Sequence, residues 1–148
     1  MPTDRHADHA VLDVFVGEWT VQAGLPDIPA GRVLFEWALD RTFLLQRSDI
    51  PRSPFPSSLA VIAPGATADS FTQHYFDSRG VVRVYRMILR ERTWTLLRTE
   101  PDFTPLDFAQ RFRGTVAADG NSIDGRWETS PDGESWELDF TLTYTRTG

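Results

Sequence analysis

The feature that most constrains this fold is a succession of about ten strand-like segments between residues 17 and 146. Each has the length of a typical strand, and turn residues separate it from the next. The segments cover residues 17–23, 32–38, 42–49, 57–63, 70–77, 81–89, 92–99, 108–118, 121–129 and 135–146. This succession predicts an all-β protein.

The connections between the segments predict how the strands are arranged. Three of them carry tight hairpin signals with glycine, FDSRG, AADGN and SPDGE, and three longer ones are rich in proline, at 24–31, 50–56 and 100–107. Strands joined mainly by short turns become antiparallel neighbours, and closing the sheet removes its exposed edges. We therefore predict a closed antiparallel barrel of about ten strands.

The first residues have the pattern of one short helix over residues 4–15, because Thr3 or Asp4 can cap it and Gly17 can end it. His6, His9 and Asp13 share one face of this helix, which we interpret as a solvated face and not as a metal site. A chain of 148 residues has the length of one domain, so we expect residues 1–148 to form a single barrel domain with this short helix in front.

Composition and charge exclude several function classes. The chain has no cysteine, and all of its basic residues except the histidines are arginine, so thiolate and Schiff-base chemistry are excluded. A net charge of -6 counts against nucleic acid. No apolar run approaches the roughly 20 residues of a membrane span, and the polar start lacks the regions of a signal peptide. We expect a cytoplasmic protein that contacts neither nucleic acid nor membrane.

Alternation along the strands predicts which side chains face the interior. In the last strand, apolar and aromatic side chains alternate with polar ones, which predicts that Trp136, Leu138, Phe140, Leu142 and Tyr144 are buried. By the same reasoning Arg47, Trp94, Arg98 and Gln110 point inward. Strands 70–77 and 81–89 carry apolar groups on both faces, so their side-chain directions stay open.

These directions give a set of candidate ligand-binding residues. An internal arginine presents a planar fork suited to a carboxylate or phosphate, which singles out Arg47 and Arg98, with Tyr85 or Tyr144 assisting. Glu36 or Glu18 are alternative partners for such an arginine. His74 is the one histidine outside the helix. The full set is Trp37, Arg47, His74, Tyr85, Trp94, Arg98 and Gln110, and Phe112 and Trp127 extend its aromatic wall. Aromatic residues in this pattern more often form a simple core than a ligand wall.

The opening Gly17-Glu18-Trp19 and the final Arg146 resemble those of lipocalin-like barrels. The resemblance implies that Trp19 and Arg146 pack together and close one barrel end. The segments HYFDSRGVVRVYRM, FAQRFRG, DGNSIDGRWE and LTYTR also resemble a bacterial lipocalin-like family of unknown function, related in fold to nitrobindin and fatty-acid-binding barrels. Nitrobindins bind haem through a histidine, but here only Gly17 and Trp19 match their longer opening motif.

The first functional hypothesis is a barrel that binds a small hydrophobic or anionic molecule in its lumen. The alternatives are a structural or oligomeric module with a filled core, an enzyme with His74 as its base, and a haem-binding barrel. No complete catalytic motif is present, so we expect no catalytic residues, no metal and no cofactor. The sequence leaves room for a homodimer.

Overall fold

The computed structural model describes residues 10–65, 67 and 69–147, and these residues form a closed antiparallel barrel of ten strands. The strands are β1 Gly17–Ala23, β2 Gly31–Ala38, β3 Phe43–Asp49, β4 Ser58–Pro64, β5 Ser70–Asp77, β6 Val82–Arg90, β7 Thr93–Arg98, β8 Ala109–Val116, β9 Ser122–Ser130 and β10 Glu137–Arg146. Each pairs with the next along the chain, and β1 pairs with β10. The prediction of ten strands and a barrel is confirmed.

The up-and-down order places alternate connections at opposite ends of the barrel. We call the end that carries connections 24–30, 50–57, 78–81, 99–108 and 131–136 the open end. The closed end carries connections 39–42, 65–69, 91–92 and 117–121 and the segment before β1. All three proline-rich connections therefore lie at the open end.

A single turn of 3-10 helix, Ala10–Val14, precedes β1 and lies at the closed end. It replaces the last part of the predicted α-helix. Residues 4–9 of that prediction, with His6 and His9, lie outside the described residues. Asp13 accepts hydrogen bonds from Trp37 Nε1 at 2.8 Å and from Arg41 Nη2 at 3.2 Å. It thus ties the 3-10 turn to β2 and to the connection after it.

Two features are absent from the described residues. No group of three or more His, Asp or Glu side chains is placed to hold a metal ion. None of the helices is long and apolar enough to cross a membrane.

The closed end is filled by apolar side chains. Leu12, Phe15, Trp19, Phe35 and Trp94 are at most 1% exposed. The Phe15 ring stacks on Phe35 at 5.2 Å and meets the Trp94 ring at 4.8 Å between centroids. This cluster forms a solid floor to the barrel, since aromatic rings in such arrangements leave little space between them.

Arg146 fastens the 3-10 turn to the barrel wall. Its guanidinium lies 4.2 Å from the Trp19 ring centroid, so the predicted contact is present. It also donates to the carbonyl oxygens of Val14 at 2.7 Å, Val16 at 2.6 Å and Gly120 at 3.2 Å. These bonds join the last carbonyl of the 3-10 turn, the residue before β1 and the 117–121 connection.

The predicted alternation of β10 holds only from Phe140 onward. A bulge shifts the register between Leu138 and Phe140. Leu138 is 52% exposed as a result, and Trp136 packs on Arg111 at 4.3 Å. The prediction that Trp136 and Leu138 are buried was wrong, because the extra residue of a bulge reverses the facing of every side chain before it.

Candidate ligand-binding site

A cavity of about 440 Å³ lies between the aromatic floor and the open end. Its volume is within the range of pockets that bind small molecules, roughly 300–1,000 Å³. The aromatic residues of its lining are Phe55, Tyr75, Tyr85, Trp94, Phe108, Phe112, Trp127, Phe140 and Tyr144. Its longer polar side chains are Gln46, Gln73, Arg79, Arg83, Gln110 and Asp139. The interior therefore encloses space instead of being filled.

One wall of the cavity is aromatic. The Phe112 ring lies 4.8 Å from Trp94 and 5.2 Å from Trp127, and Tyr85 meets Trp127 at 5.6 Å. Gly125 leaves room for the Phe112 ring in this position, because a Cβ at residue 125 would overlap the ring. Three members of the predicted aromatic wall, Trp94, Phe112 and Trp127, thus line the cavity.

Two arginines line this cavity, and Arg83 differs from Arg79 because Arg79 is paired with Asp77. Arg83 shares the inward parity of Tyr85 on β6, and its Nη1 donates to Gln110 Oε1 at 3.3 Å. The hydroxyl of Tyr85 donates to the same oxygen at 3.0 Å. Within the described part of the chain, no carboxylate lies within 4.0 Å of the guanidinium, and its buried Nε has no hydrogen-bond partner. The charge of Arg83 is therefore available to an anion in the cavity.

Tyr85 stays a neutral hydroxyl at physiological pH. Burial raises its pKa above the ordinary value of 10, although Arg83 acts in the opposite direction. Arg83, Tyr85 and Gln110 therefore form one polar group, which we call the Arg83 cluster. Its cationic N–H donors and neutral hydroxyl match the needs of a carboxylate.

A second polar group lies on strands β3, β5 and β10. Gln73 Nε2 donates to Gln46 Oε1 at 3.2 Å, and both side chains are buried. Gln46 also lies near the Tyr144 hydroxyl. Burial raises the pKa of Tyr144 well above its ordinary range, although Gln46 acts in the opposite direction. We call Gln46, Gln73 and Tyr144 the amide chain.

Unsatisfied hydrogen-bonding atoms are concentrated in this cavity. Among the described residues, three buried side-chain atoms have no partner: Gln73 Oε1, Arg83 Nε and Trp94 Nε1. All three residues line the cavity. Because such atoms cost about 1–3 kcal/mol each when buried, their collection at one place favours a ligand that pairs with them.

Aromatic and ionic contacts shape the mouth of the cavity. Phe55 of the 50–57 connection packs on Phe140 at 5.2 Å. Asp77 accepts hydrogen bonds from the Tyr75 hydroxyl at 2.8 Å and from Arg79 Nη2 at 2.7 Å. Burial alone would raise the pKa of Asp77, but bonds from Arg79, Tyr75 and backbone N–H groups lower it to about 2. This carboxylate therefore remains charged and already paired.

Arg98 is buried, but it binds the 99–108 connection and does not face the cavity. Asp102 accepts from its Nε and Nη2, each at 2.9 Å, and the Thr104 carbonyl accepts from Nη2 at 2.6 Å. The Arg98 guanidinium holds the pKa of Asp102 well below its ordinary value, despite the opposing effect of burial. Arg98 does not line the cavity. The prediction that the Arg98 guanidinium faces the lumen was wrong. The 99–108 connection folds back, and its Asp102 and Thr104 accept the hydrogen bonds of the guanidinium.

Two further predicted residues lie away from the cavity. Arg47 was assigned to the interior, but Leu44 and Gln46 are the buried side chains of β3. Arg47 is exposed and pairs with Glu36 at 3.2 Å. The error arose because the lumen is polar at Gln46, so apolar alternation indicated the wrong face. Trp37 has inward parity but sits at the closed end, where Arg41 covers its ring at 4.9 Å.

His74 lies on the outer face of β5. Phe71 and Gln73 are the buried residues of this strand, and His74 alternates with them. Its Nε2 is 3.2 Å from the Thr72 hydroxyl, and it does not line the cavity. The hypotheses of a His74 base and of haem ligation both require this imidazole in the lumen, and the structure does not place it there.

The structure thus brings together Tyr85, Trp94 and Gln110 from the predicted set, and it adds residues that the sequence did not single out. Arg83, Gln46, Gln73 and Tyr75 are the additions. One signal existed for Arg83, because it lies two residues before Tyr85 and shares its parity. No alternation identified the two glutamines, since buried amides break the apolar pattern.

Comparisons with known proteins support the fold. No protein-family model matches the chain, and no curated protein does either. Among solved structures, the crystal structure of Rv2717c from M. tuberculosis has a similar fold, with a TM-score of 0.66 and 14% identity. The alignment covers 95% of this chain and 98% of that one. At this identity the similarity shows that the two chains share a fold over their whole lengths.

Proposed function

We propose that this barrel binds a small aromatic or otherwise apolar molecule that carries a carboxylate. The observation behind the proposal is Arg83, a cation that lines a cavity and has no carboxylate partner among the described residues. The lipocalin-like resemblance of Gly17, Trp19 and Arg146 is consistent with a binding protein. A carboxylate on a bound ligand is the partner that Arg83 lacks among the described residues.

Charge is the first support for an anionic ligand. An arginine that faces a cavity without a counter-ion carries a desolvation cost, and an entering carboxylate offsets that cost. Tyr85 and Gln110 beside it supply further polar contacts, although the Gln110 oxygen already accepts from both neighbours. Bonds from an arginine to a carboxylate are about twice as strong as neutral ones.

The aromatic wall is the second support. Trp94, Phe112 and Trp127 present ring faces and edges to the cavity. A flat apolar ligand body gains most from such a surface, because aromatic pairs contribute about 0.5–1.5 kcal/mol beyond the area they bury. A ligand with an aromatic body and one carboxylate therefore fits both the aromatic wall and the Arg83 cluster.

The experiment compares 2-naphthoate with its neutral analogue 2-naphthamide by isothermal titration calorimetry. The wild-type protein should bind the acid at least about tenfold more tightly than the amide, because only the acid forms a charge-assisted bond. In Arg83→Met this preference should disappear while the amide affinity changes little. Equal binding of acid and amide by the wild type, or a preference that survives in Arg83→Met, would contradict the proposal.

Two control variants separate the site from surface charge. Arg86→Met removes an exposed arginine three residues along the same strand, and Arg47→Met removes the arginine that the sequence pattern favoured. Both lie on the outer face, so both should keep the preference for the acid. Loss of the preference in either control would indicate a general electrostatic effect.

A further inference from the structure

The amide chain is not used by the proposed anion site. Gln46 is 7% exposed and Gln73 is 5% exposed, and both line the cavity. Polar side chains in such positions are ordinarily replaced by apolar ones unless they have partners, because burying an amide is costly. Their place in the cavity wall calls for a ligand group that pairs with them.

The free end of the amide chain is an acceptor. The Gln73 amide nitrogen already donates to Gln46 Oε1 at 3.2 Å, and Gln46 is engaged with Tyr144. What remains is Gln73 Oε1, which has no hydrogen-bond partner in the described ranges. An oxygen of this kind pairs only with an O–H or N–H donor.

The strand register places this acceptor deeper than Arg83. Gln73 is the register partner of Tyr85, whereas Arg83 is the partner of Tyr75, two residues nearer the open end. Two residues of an antiparallel strand span roughly 7 Å. A ligand held at Arg83 by its carboxylate therefore directs its far end toward the level of Gln73.

Building on the proposed function, we propose that Gln73 is a specificity-determining residue that selects ligands with a hydrogen-bond donor opposite their carboxylate. The ligand class is a hydroxylated aromatic acid, or one with an N–H at the same position. Its carboxylate pairs with Arg83 near the mouth, and its hydroxyl donates to Gln73 Oε1 at the deeper level. An acid whose far end carries only hydrogen-bond acceptors cannot pair with Gln73 Oε1, because that oxygen is itself an acceptor.

Three probes test this selectivity by calorimetry on the wild-type protein. They are 6-hydroxy-2-naphthoate, 6-methoxy-2-naphthoate and 2-naphthoate, which share the carboxylate and ring system. The hydroxy acid should bind about five- to tenfold more tightly than the unsubstituted acid, the range expected for one buried hydrogen bond. The methoxy acid should not share this gain, because it has no proton to donate.

Gln73→Met assigns the effect to one side chain, since methionine has a similar length and no amide. In this variant the hydroxy and unsubstituted acids should bind equally, with the affinity for 2-naphthoate retained. Gln22→Met is the matched control, because Gln22 is an exposed residue of β1. It should keep the full preference for the hydroxy acid.

The outcomes separate this inference from the proposed function. If none of the naphthoates binds, the proposed function fails and this inference fails with it. If all three bind equally and lose affinity in Arg83→Met, the anion site stands and the role of Gln73 is refuted. Tighter binding of the methoxy acid would also refute it. Should Gln73→Met fail to fold, the ranking of the three probes on the wild type remains decisive.

Discussion

The closed and open ends of the barrel are made from the same ten strands, but their polar groups are satisfied in different ways. At the closed end Arg146 bonds to three backbone carbonyls and covers Trp19, and aromatic rings fill the remaining space. At the open end carboxylates and arginines fasten long connections, as Asp102 does with Arg98. Between the floor and the mouth, Arg83 and Gln73 keep hydrogen-bonding atoms that have no partner among the described residues.

This difference indicates that the closed end mainly stabilises the fold, whereas the candidate binding site lies toward the open end. The closed end has tightly packed apolar side chains. The open end holds the proline-rich connections, the cavity and the paired carboxylates Asp77 and Asp102. Regions with fewer apolar contacts open at lower free-energy cost, so we expect the open end to respond first to acid and to substitution.

Asp102→Asn should have the largest effect on stability. Arg98, Thr104 N and Val84 N all donate to the Asp102 carboxylate, and its loss leaves a buried cation without its counter-charge. We expect the free energy of unfolding to fall by about 3 kcal/mol. Urea denaturation measures this, with Asp107→Asn in the same connection as control. A change below about 1 kcal/mol would show that the connection is held by other contacts.

Arg146→Met tests the closed end. Its three carbonyl partners would lose their donor and Trp19 would lose its cation. We expect a destabilisation of about 2–3 kcal/mol in urea. The affinity of the folded variant for 2-naphthoate should stay unchanged, since Arg146 does not line the cavity. A large loss of affinity would mean that the two ends are coupled.

Lowering the pH should destabilise the protein through its open end. The folded-state pKa of Asp77 is about 2, below its ordinary value of 3.8, so its contribution is complete above pH 5 and is lost as the pH falls through 2. We expect this to cost about 2 kcal/mol. Denaturation at a series of pH values measures it. Asp77→Asn should reduce this pH dependence by a similar amount, and an unchanged dependence would contradict the role given to Asp77.

Gly125→Ala should have the smallest effect on stability and a clear effect on binding. The added methyl group overlaps the Phe112 ring, and we expect the ring to shift into the cavity that it lines. We expect a destabilisation of about 1–2 kcal/mol together with weaker binding of 2-naphthoate. The double variant Gly125→Ala, Phe112→Leu makes room for the methyl group and should recover stability. No recovery would place the strain elsewhere.

Much of the fold was predictable from the sequence. Segment lengths and turn residues predicted the ten strands to within two residues at each boundary, because local propensity and tertiary structure agree there. The contact between Trp19 and Arg146 followed from a resemblance. The bulge at Asp139 could not be predicted, since Leu138 and Phe140 continue the apolar alternation through it.

The candidate site was less predictable than the fold. Apolar alternation locates walls that face a dry core, but this cavity has polar walls at Gln46, Gln73 and Arg83. Apolar alternation therefore predicted that Arg47, and not Gln46, faces the interior in β3. For Arg98 the parity was right, but its partner Asp102 comes from a connection whose path no local pattern specifies.

If ligands enter the space between the two ends, the indole N–H signals of the five tryptophans will report it. Trp94 and Trp127 line the cavity, whereas Trp19, Trp37 and Trp136 do not. In a nitrogen–proton correlation spectrum recorded during titration with 2-naphthoate, the signals of Trp94 and Trp127 should shift and saturate together. The other three should stay in place. Shifts confined to Trp37 or Trp136, or equal shifts of all five, would contradict the account.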